Sequence, residues 1–439
     1  MTAGEATWPK AGRGFAGTAL LVALFLIPLY PKIGLLSVPG TYIPVRIDDL
    51  LIGGCVAVWL AGLVMQRRVP FVPAQLGLAA AAWVGCGLIS LIVGAVVLRT
   101  IAATTGLAYW AKPIEYLLLG LIAYDQVRMG RLSPRLVLVT VFASAAGVVA
   151  YGVLERFGVL PQLPGWTPNP GSLFATTGDP HELATYLGML IVLSAVLWRH
   201  APRKARIAWA FALVPTVFVL FSSAGRSEYV AAVVCLAALA FHRPSRKPAL
   251  LALAVMVVLF ATPPTLRALG AVPAPSGSTT TDVSARFDDD SLIGNLKVRF
   301  LYKWPAYLNA TLRDPLFGLG PSVATEAADG YYVRSIVETG IVGTVAFAAL
   351  LLAVVAGLRR AARSMTDSTR TLAQGLLAAT AFLGIVGILI DTWVASRVME
   401  IYWPLVGTAL AGWTGARHGF RAEAPALRTG DDASSRVTW

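Results

Sequence analysis

A polar stretch between two long apolar runs organises this chain. From Arg286 to Gly343 it reads RFDDDSLIGNLKVRFLYKWPAYLNATLRDPLFGLGPSVATEAADGYYVRSIVETGIVG. Irregular backbone between membrane-spanning helices needs water or protein partners for its hydrogen bonds, so a polar segment of this length is unusual there. We therefore expect this stretch to be the functional part of the chain.

The composition of the whole chain excludes an ordinary soluble domain. Of its 439 residues, 56% are hydrophobic and 13% are charged, whereas a typical soluble protein has about 25% charged residues. The net charge of +13 does not indicate a nucleic-acid partner, because the basic residues lie in short loops between apolar runs, as membrane topology requires. The sequence predicts an all-α, polytopic integral membrane protein.

Apolar runs long enough to cross a bilayer, roughly 20 residues each, recur about twelve times. The expected spans are 15–37, 48–65, 74–98, 101–124, 135–155, 181–198, 205–221, 227–242, 248–263, 335–358, 370–390 and 398–415. The first run has no small-residue cleavage site, so we interpret it as a retained span. The predicted organisation is a membrane bundle over 1–263 (spans 1–9), a large extracytoplasmic loop with short helices over 264–334, spans 10–12 over 335–415, and a disordered cytoplasmic tail over 416–439.

The basic residues predict the orientation. They cluster in every second loop, at 67–68, 128–135, 199–206, 243–247 and 359–370. Because positively charged loops stay inside, both termini should be cytoplasmic and the 264–334 loop should face outward. Within that loop, Leu296 to Leu312 has apolar residues at helical spacing, which predicts a short amphipathic helix at the membrane surface.

Charged residues inside spans are costly and need partners. Lys112 and Glu115 lie three residues apart on one face of the fourth run, so we interpret them as a structural ion pair. Asp48 and Asp49 open the second span, where carboxylates suit a helix N-terminus. A second ion network is expected around the last outward turn, from Asp391, Arg397 and Glu400.

Arg226, in FSSAGRSEYVAAVV, lies at the outer end between two spans. A guanidinium offers several donors to a phosphate, although an interfacial arginine can also reach out to lipid headgroups. The serines and glycine beside it favour a ligand role, since small residues let a large anionic ligand approach the backbone. Four more basic residues are expected on the same side: Arg299, Lys303, Arg313 and Arg334. Positive residues outside are contrary to the topology bias, so a cluster of them indicates an anionic partner. For any one of them, contact with lipid phosphates is the alternative.

Of the four histidines, His181 alone is expected on the outer side. It is therefore the candidate histidine base, although a helix-start residue after Asp179 and Pro180 is an equally good explanation. The acidic run Asp288–Asp290 lacks a glycine-spaced ligand pattern, so we expect a solvated loop there and no metal site. The three cysteines lie inside apolar runs and predict neither a disulfide nor a metal site.

Three stretches resemble the O-antigen ligase and polymerase superfamily of bacterial membrane glycosyltransferases. They are SSAGRSEYVAAVV at 222–234, Trp304 together with DPLFGLGPS at 314–322, and DGYYVRSIVETGIVG at 329–343. Ligases of this family typically carry a histidine where this chain has Asp329. An acidic residue there looks like the polymerase and exopolysaccharide branch, as do VRIDDLL and AKPIEYLLL.

The resemblance implies a glycosyltransferase of the bacterial cytoplasmic membrane that polymerises lipopolysaccharide or exopolysaccharide repeat units at the outer face. Its implied partners are a glycan donor on undecaprenyl diphosphate, a glycan acceptor, membrane lipids and a chain-length regulator, with no cofactor. The candidate base or acceptor-positioning residue is Asp329, followed by His181 and Glu338. The candidate substrate-binding residues are Arg226, Arg299, Lys303, Arg334, Trp304 and Tyr331.

Two other functions remain open. The first is a ligase that transfers the glycan to lipid A-core or another acceptor. The second, from another class, is a flippase or other transporter of lipid-linked oligosaccharides, which would also need cations and many spans. A transporter should show inverted repeats and polar residues along a mid-membrane path. No repeat is visible in the sequence and the mid-span charges are few, so the transferase is favoured.

Overall fold

The computed structural model describes residues 14–37, 44–163, 173–223, 225–268, 296–324, 328–363 and 367–422. These residues form a bundle of helices packed side by side. Within these ranges the fold is all-α apart from one short antiparallel hairpin of β1 (Gly34–Ser37) and β2 (Pro44–Arg46). The helices are α1 (Phe15–Leu29), α2 (Ile47–Met65), α3 (Ala74–Ile92), α4 (Ala103–Arg128), α5 (Pro134–Arg156), α6 (Pro180–Leu197), α7 (Arg203–Ser222), α8 (Arg226–Phe241), α9 (Arg246–Ala268), α10 (Trp304–Thr311), α11 (Tyr331–Ala361), α12 (Asp367–Val386) and α13 (Ser396–Ala422).

Eight helical segments of the described chain are long and apolar enough to cross a membrane. They cover 47–65, 74–97, 134–156, 180–200, 203–222, 243–261, 331–361 and 369–386. The protein is therefore a multi-pass helical membrane protein. Each of the twelve expected runs overlaps a helix, but α1 and α8 have only 15 and 16 residues, and α4 and α13 are not among the eight apolar segments, so length and composition alone do not support twelve spans.

The first expected span is shorter than predicted. Its helix ends at Leu29, because residues Gly34–Ser37 turn back as strand β1 and pair with β2. The surface helix expected from Leu296 to Leu312 is present. It begins with a wide π-helical turn over Val298–Lys303 and continues as α10. The flexible segment expected at 276–281 and the acidic run Asp288–Asp290 lie outside the described residues.

Helices α4 and α13 pack closely along one another. The closest approach uses two glycines: a Cβ added to Gly407 would lie 2.1 Å from the carbonyl oxygen of Gly120. Glycine removes the side chain that would hold two helices apart, a common device in membrane bundles. Around this pair, α11 packs on α3, α12 on α6, and α1 lies between α2 and α5.

A chain of aromatic rings ties these helices together. Trp83 of α3 contacts Trp110 of α4 and Phe347 of α11, with ring centroids 5.1 and 5.6 Å apart respectively. From Phe347 the contacts continue to Trp393 at 5.6 Å and from there to Tyr402 of α13 at 5.8 Å. Tilted and edge-on pairs at such distances add stability beyond the area that they bury.

Helix α11 is broken at Gly340. This residue has φ 66° and ψ −169°, a conformation that a residue with a Cβ rarely adopts. The break leaves backbone groups on both sides without helical partners, and the preceding loop supplies them. The N–H groups of Leu319 and Gly320 donate to the carbonyls of Val337 and Glu338, at 2.8 and 3.1 Å.

The same loop also completes the second half of α11. The N–H groups of Ile341 and Val342 donate to the carbonyls of Pro315 and Leu316, at 2.9 and 3.1 Å. Non-helical backbone is tolerated at membrane depth only where protein satisfies its polar groups in this way. The PLFGLG segment, residues 315–320, is therefore inserted into the bundle as the partner of a broken helix.

Glycine makes this insertion possible, because a Cβ on Gly318 would lie 2.5 Å from the backbone nitrogen of Gly340. On its other side the segment contacts the end of α3, where a Cβ on Gly94 would lie 2.5 Å from the carbonyl oxygen of Leu319. Thr100 Oγ1 donates to that same oxygen at 2.5 Å. The 315–320 segment is thus held between α3 and α11.

Candidate functional site

Charged side chains from distant parts of the chain meet at one end of the bundle. This is the end where α1 terminates and where α2, α6, α8, α11 and α13 begin. By the expected orientation it is the outer end. One of its contacts joins Lys32 Nζ, just after α1, to Glu182 Oε2 in the first turn of α6 at 2.5 Å. Such contacts hold the helix ends together around a polar region.

Asp329 is held by two cations. Lys303 Nζ donates to Asp329 Oδ2 at 2.9 Å, and Arg299 Nε lies 3.4 Å from the same oxygen. The two cations are four residues apart, so the helical turn that leads into α10 presents both on one face. The side chains of Asp329 and Lys303 are 34% and 37% exposed, so this ion cluster is accessible to a ligand.

The backbone at Asp329 is fixed by its neighbours. Its φ of 45° is in the left-handed region, which aspartate tolerates better than most residues. Trp304 Nε1 donates to the carbonyl of Ala328 at 2.8 Å, and a Cβ on Gly330 would lie 3.0 Å from the Trp304 ring. Trp304 therefore anchors the turn that carries Asp329. In this structure its role is positional.

His181 forms a second polar pair on the outer side. It lies in the first turn of α6, and its Nδ1 is 3.0 Å from Oε1 of Glu228 in the first turn of α8. The Glu228 carboxylate is completely buried, whereas the His181 side chain is 38% exposed. The carboxylate orients the ring through Nδ1, and in the neutral ring with Nδ1–H the other nitrogen, Nε2, is the proton acceptor.

Arg226 is half-buried at the first residue of α8, two positions before Glu228. Before it, Gly225 allows the close packing of α8 on α6, since a Cβ on Gly225 would lie 2.5 Å from Cβ of Ala184. Arg226 takes part in contacts of its own within the protein. The structure thus places it near the His181–Glu228 pair through the short first turn of α8.

Arg334 and Glu338 form a buried ion pair. Their residues are only 2% and 6% exposed, and Arg334 Nε is 3.2 Å from Glu338 Oε1. Arg334 Nη1 also binds Asp391 Oδ2 at 3.0 Å, and its guanidinium lies 4.9 Å from the centre of the Tyr109 ring. Glu338 Oε1 further accepts the N–H of Ser322 at 3.1 Å. These contacts favour a positioning role for both residues.

Arg397 does not pair with Asp391 as the sequence suggested, because Asp391 is bound to Arg334. The Arg397 guanidinium, which is completely buried, has three other contacts. Its Nη1 lies 3.6 Å from Asp48 Oδ2 and 3.8 Å from Glu400 Oε2, and its Nη2 donates to the carbonyl of Tyr30 at 2.8 Å. Arg397 thereby joins the end of α1 to the starts of α2 and α13.

Lys112 lies between two carboxylates. Its Nζ contacts Asp49 and is 3.3 Å from Glu115 Oε2. Asp49 Oδ2 also accepts the N–H of Arg46 at 2.9 Å, which caps the start of α2. The two aspartates at the start of α2 therefore differ: Asp49 combines capping with an ion pair to α4, whereas Asp48 binds Arg397.

From the sequence candidates the structure forms two accessible sites: Asp329 with Arg299 and Lys303, and His181, which the buried Glu228 orients. Both groups lie at the same end of the bundle. Tyr331 does not join them, because it is 4% exposed and packs on Phe347 at 4.8 Å between ring centroids.

Sequence reasoning missed several residues of this region. In the sequence analysis Glu228 was noted only as a neighbour of Arg226. Its position in the first turn of a helix could have indicated a functional carboxylate. Lys32, Glu182 and Tyr109 gave no signal at all, because their partners lie far away in the sequence.

In the part of the chain that the structure describes, no group of three His, Cys, Asp or Glu side chains is placed to hold a metal ion. No protein-family model and no curated protein matches this chain. Its function is therefore argued from the site itself.

Proposed function

We propose that this protein is a membrane glycosyltransferase that polymerises glycan repeat units carried on undecaprenyl diphosphate, at the outer face of the bacterial cytoplasmic membrane. The supporting observation is the accessible pair of charged groups at one end of the bundle. A cation cluster on the helical turn before α10 lies at the same end of the bundle as a histidine oriented by a buried carboxylate. These groups match the two needs of the reaction, a stabiliser for departing negative charge and a base.

In the proposed reaction an acceptor sugar hydroxyl attacks the anomeric carbon of the donor glycan, and lipid diphosphate leaves. Fixed cations stabilise the charge that develops on the leaving group. Arg226, Arg299 and Lys303 are proposed for this role. The surface helix that carries two of them would cover the donor as it enters from the outer leaflet.

A base must take the proton from the hydroxyl group of the acceptor sugar. We propose Asp329 or His181 for it, and the geometry favours His181. To accept a proton, Asp329 would have to give up ion pairs with Arg299 and Lys303, whereas His181 has its Nδ1 on Glu228 and its Nε2 available. Asp329 would then position the acceptor or hold the cations in place.

We also propose a specific membrane topology. Twelve spans with both termini in the cytoplasm account for the basic residues in every second loop, for the outer position of the charged cluster and for a helix at each expected run. The short helices α1 and α8 would then cross as part of a tightly packed bundle.

A polymerisation assay tests the function directly. Purified protein in nanodiscs would be incubated with lipid-linked repeat units, and the products resolved on a gel. A ladder of lengthening products that disappears with Arg226→Ala, but not with Arg203→Ala at the opposite end of the bundle, is the expected result. A single transfer to an added lipid A-core acceptor, without a ladder, would instead identify a ligase.

Two observations support a transporter of lipid-linked oligosaccharides as the second candidate. Helix α11 is discontinuous at Gly340, and Arg397 is completely buried among carboxylates. Broken helices and buried charges are common in transporters. Movement of a fluorescent lipid-linked glycan across liposome membranes, without the formation of new glycosidic bonds, would favour this function over the transferase.

A further inference from the structure

A cluster of three buried charges joins α1, α2 and α13 below the outer end of the bundle. Arg397 Nη1 lies 3.6 Å from Asp48 Oδ2 and 3.8 Å from Glu400 Oε2. The side chains of Arg397 and Glu400 are completely buried, and that of Asp48 is 1% exposed. Two carboxylates therefore share one guanidinium in the interior of the protein.

Neither carboxylate of this cluster is satisfied by hydrogen bonds. Within the described chain, none of the four carboxylate oxygens of Asp48 and Glu400 accepts a hydrogen bond. The hydrogen bond that Arg397 makes goes from Nη2 to the carbonyl of Tyr30, at 2.8 Å. A buried carboxylate is costly to keep ionised unless it is both paired and hydrogen-bonded. One guanidinium balances only one of the two negative charges.

The two lysines whose charges reach this cluster through space already have carboxylate partners. Lys112 Nζ contacts Asp49 and lies 3.3 Å from Glu115 Oε2. Lys32 Nζ lies 2.5 Å from Glu182 Oε2. Counted together with the buried cluster, five carboxylates share three cations. The carboxylates that bind the lysines are partly exposed, so water stabilises their charge, whereas the buried cluster has no such help.

The two buried carboxylates differ in their positions on their helices. Asp48 lies in the first turn of α2, where unpaired N–H groups and the helix dipole favour a negative charge. Glu400 is the fifth residue of α13, and the first turn of that helix contains no acidic residue. Of the two, Glu400 is therefore the group that is better placed to stay neutral.

We propose that Glu400 is a proton-binding site, a neutral carboxylic acid at neutral pH beside an Asp48–Arg397 ion pair. Two carboxylates that share one cation in a low-dielectric interior are costly to ionise together, so one of them takes a proton from water. The balanced pair then joins α1, α2 and α13. The proton takes no part in the transfer proposed at the outer end, because the Glu400 side chain is completely buried.

Infrared difference spectroscopy of the full-length protein, in a detergent that has no carbonyl group, tests the proposal. A carboxylic acid and a carboxylate absorb at separate wavenumbers. At neutral pH, Glu400→Gln should therefore remove an acid band. Asp48→Asn should remove the same band, because Glu400 then has Arg397 to itself and ionises. The matched control is Asp125→Asn, which removes a buried carboxylate that Arg68 binds through both oxygens, and it should remove a carboxylate band only.

The pH dependence of thermal unfolding gives a second measurement. An unfolded glutamate titrates near about pH 4.3, so unfolding at neutral pH releases the proton of Glu400, and a rising pH favours unfolding. Relative to Glu400→Gln, the unfolding equilibrium constant of the unchanged protein should rise about tenfold per pH unit between roughly pH 5 and 7.

Three results would overturn the proposal. The first is loss of a carboxylate band in place of the acid band in Glu400→Gln. The second is an equal pH dependence of unfolding in this variant and the unchanged protein. The third is failure of Glu400→Gln to fold at neutral pH, because glutamine has the size and the neutral charge of the proposed acid.

Discussion

Nδ1 of His181 and Oε1 of Glu228 lie 3.0 Å apart and join the first turns of two helices that are separated by the whole of α7. The buried carboxylate holds the ring in one orientation, and the exposed edge of the ring faces the outer end of the bundle. If this pair supplies the base, His181→Ala should lower the polymerisation rate by about 100-fold or more at equal protein level. Single-turnover assays with lipid-linked repeat units measure this rate.

Glu228→Gln tests the pair separately. It keeps a hydrogen-bond acceptor for the histidine but removes the charge, so the polymerisation rate should fall less than in His181→Ala and its pH profile should shift. Val230→Ala changes an exposed residue of the same helix and serves as the control. Full activity of His181→Ala would remove the histidine from the reaction.

Variants of Asp329 distinguish two roles for this residue, as a base or as a positioning residue. In Asp329→Asn the side chain keeps its shape but loses the charge that holds Lys303 and Arg299. If Asp329 positions cations or the acceptor, this variant should retain measurable polymer at reduced yield. If it is the base, polymer should disappear, and Asp329→His should restore it. Polymer yield at equal expression distinguishes the two, and activity of His181→Ala beside an inactive Asp329→Asn would make Asp329 the base.

Arg226 should be required for the leaving diphosphate. Loss of a charge-assisted contact to a developing negative charge costs a few kcal/mol, or roughly 100-fold in rate. Arg226→Ala should therefore abolish polymer without lowering the protein level. Arg226→Lys should recover only part of the activity, because a single ammonium lacks the fork of the guanidinium. Near-normal polymer from Arg226→Ala would indicate a lipid contact instead.

The topology can be measured by cysteine labelling in a chain whose three native cysteines are replaced by alanine. A membrane-impermeant reagent added from outside should label Ser278→Cys in the large loop and should leave Ser364→Cys, in the basic 359–370 stretch, unlabelled. The reverse pattern would invert the bundle and with it the proposed position of the active site.

Gly340→Ala should destabilise the protein severely. The added Cβ would lie 2.3 Å from the carbonyl oxygen of Leu316, at a φ of +66°. Together the strained backbone and the overlap should cost roughly 3 kcal/mol. A lower thermal unfolding temperature in detergent would show this. Gly53→Ala, an exposed helical site with nothing within 4 Å of the added Cβ, is the matched control and should leave the unfolding temperature unchanged or raise it.

Local patterns in the sequence predicted much of the fold. Apolar runs located the helices, and the three-residue spacing of Lys112 and Glu115 predicted two side chains that the structure places 3.3 Å apart. The break in α11 could not be predicted, because a single glycine such as Gly340 is tolerated inside a helix and the residues on either side of it suit a helix. What opens the helix is a loop segment more than fifteen residues earlier, which a local pattern does not register.

The same limit applies to the candidate site. The outer cations were found because they contradict the usual charge bias, but their partners were not. Asp48 binds Arg397 from the opposite end of the chain, and Arg334 takes the Asp391 that the sequence assigned to Arg397. A single sequence shows which residues are charged. It does not show how the helices pack, and the packing determines which charged residues pair.

The broken helix α11 also bears on how the protein is assembled. Four backbone groups around Gly340 pair with the backbone of the 315–320 segment, and an unsatisfied backbone group costs several kcal/mol in lipid. The helix therefore cannot reach its final state in the bilayer until the 315–320 segment has docked against it. Insertion of the last quarter of the chain and docking of this segment become one coupled event, so a defect in the segment would appear first as failed membrane assembly.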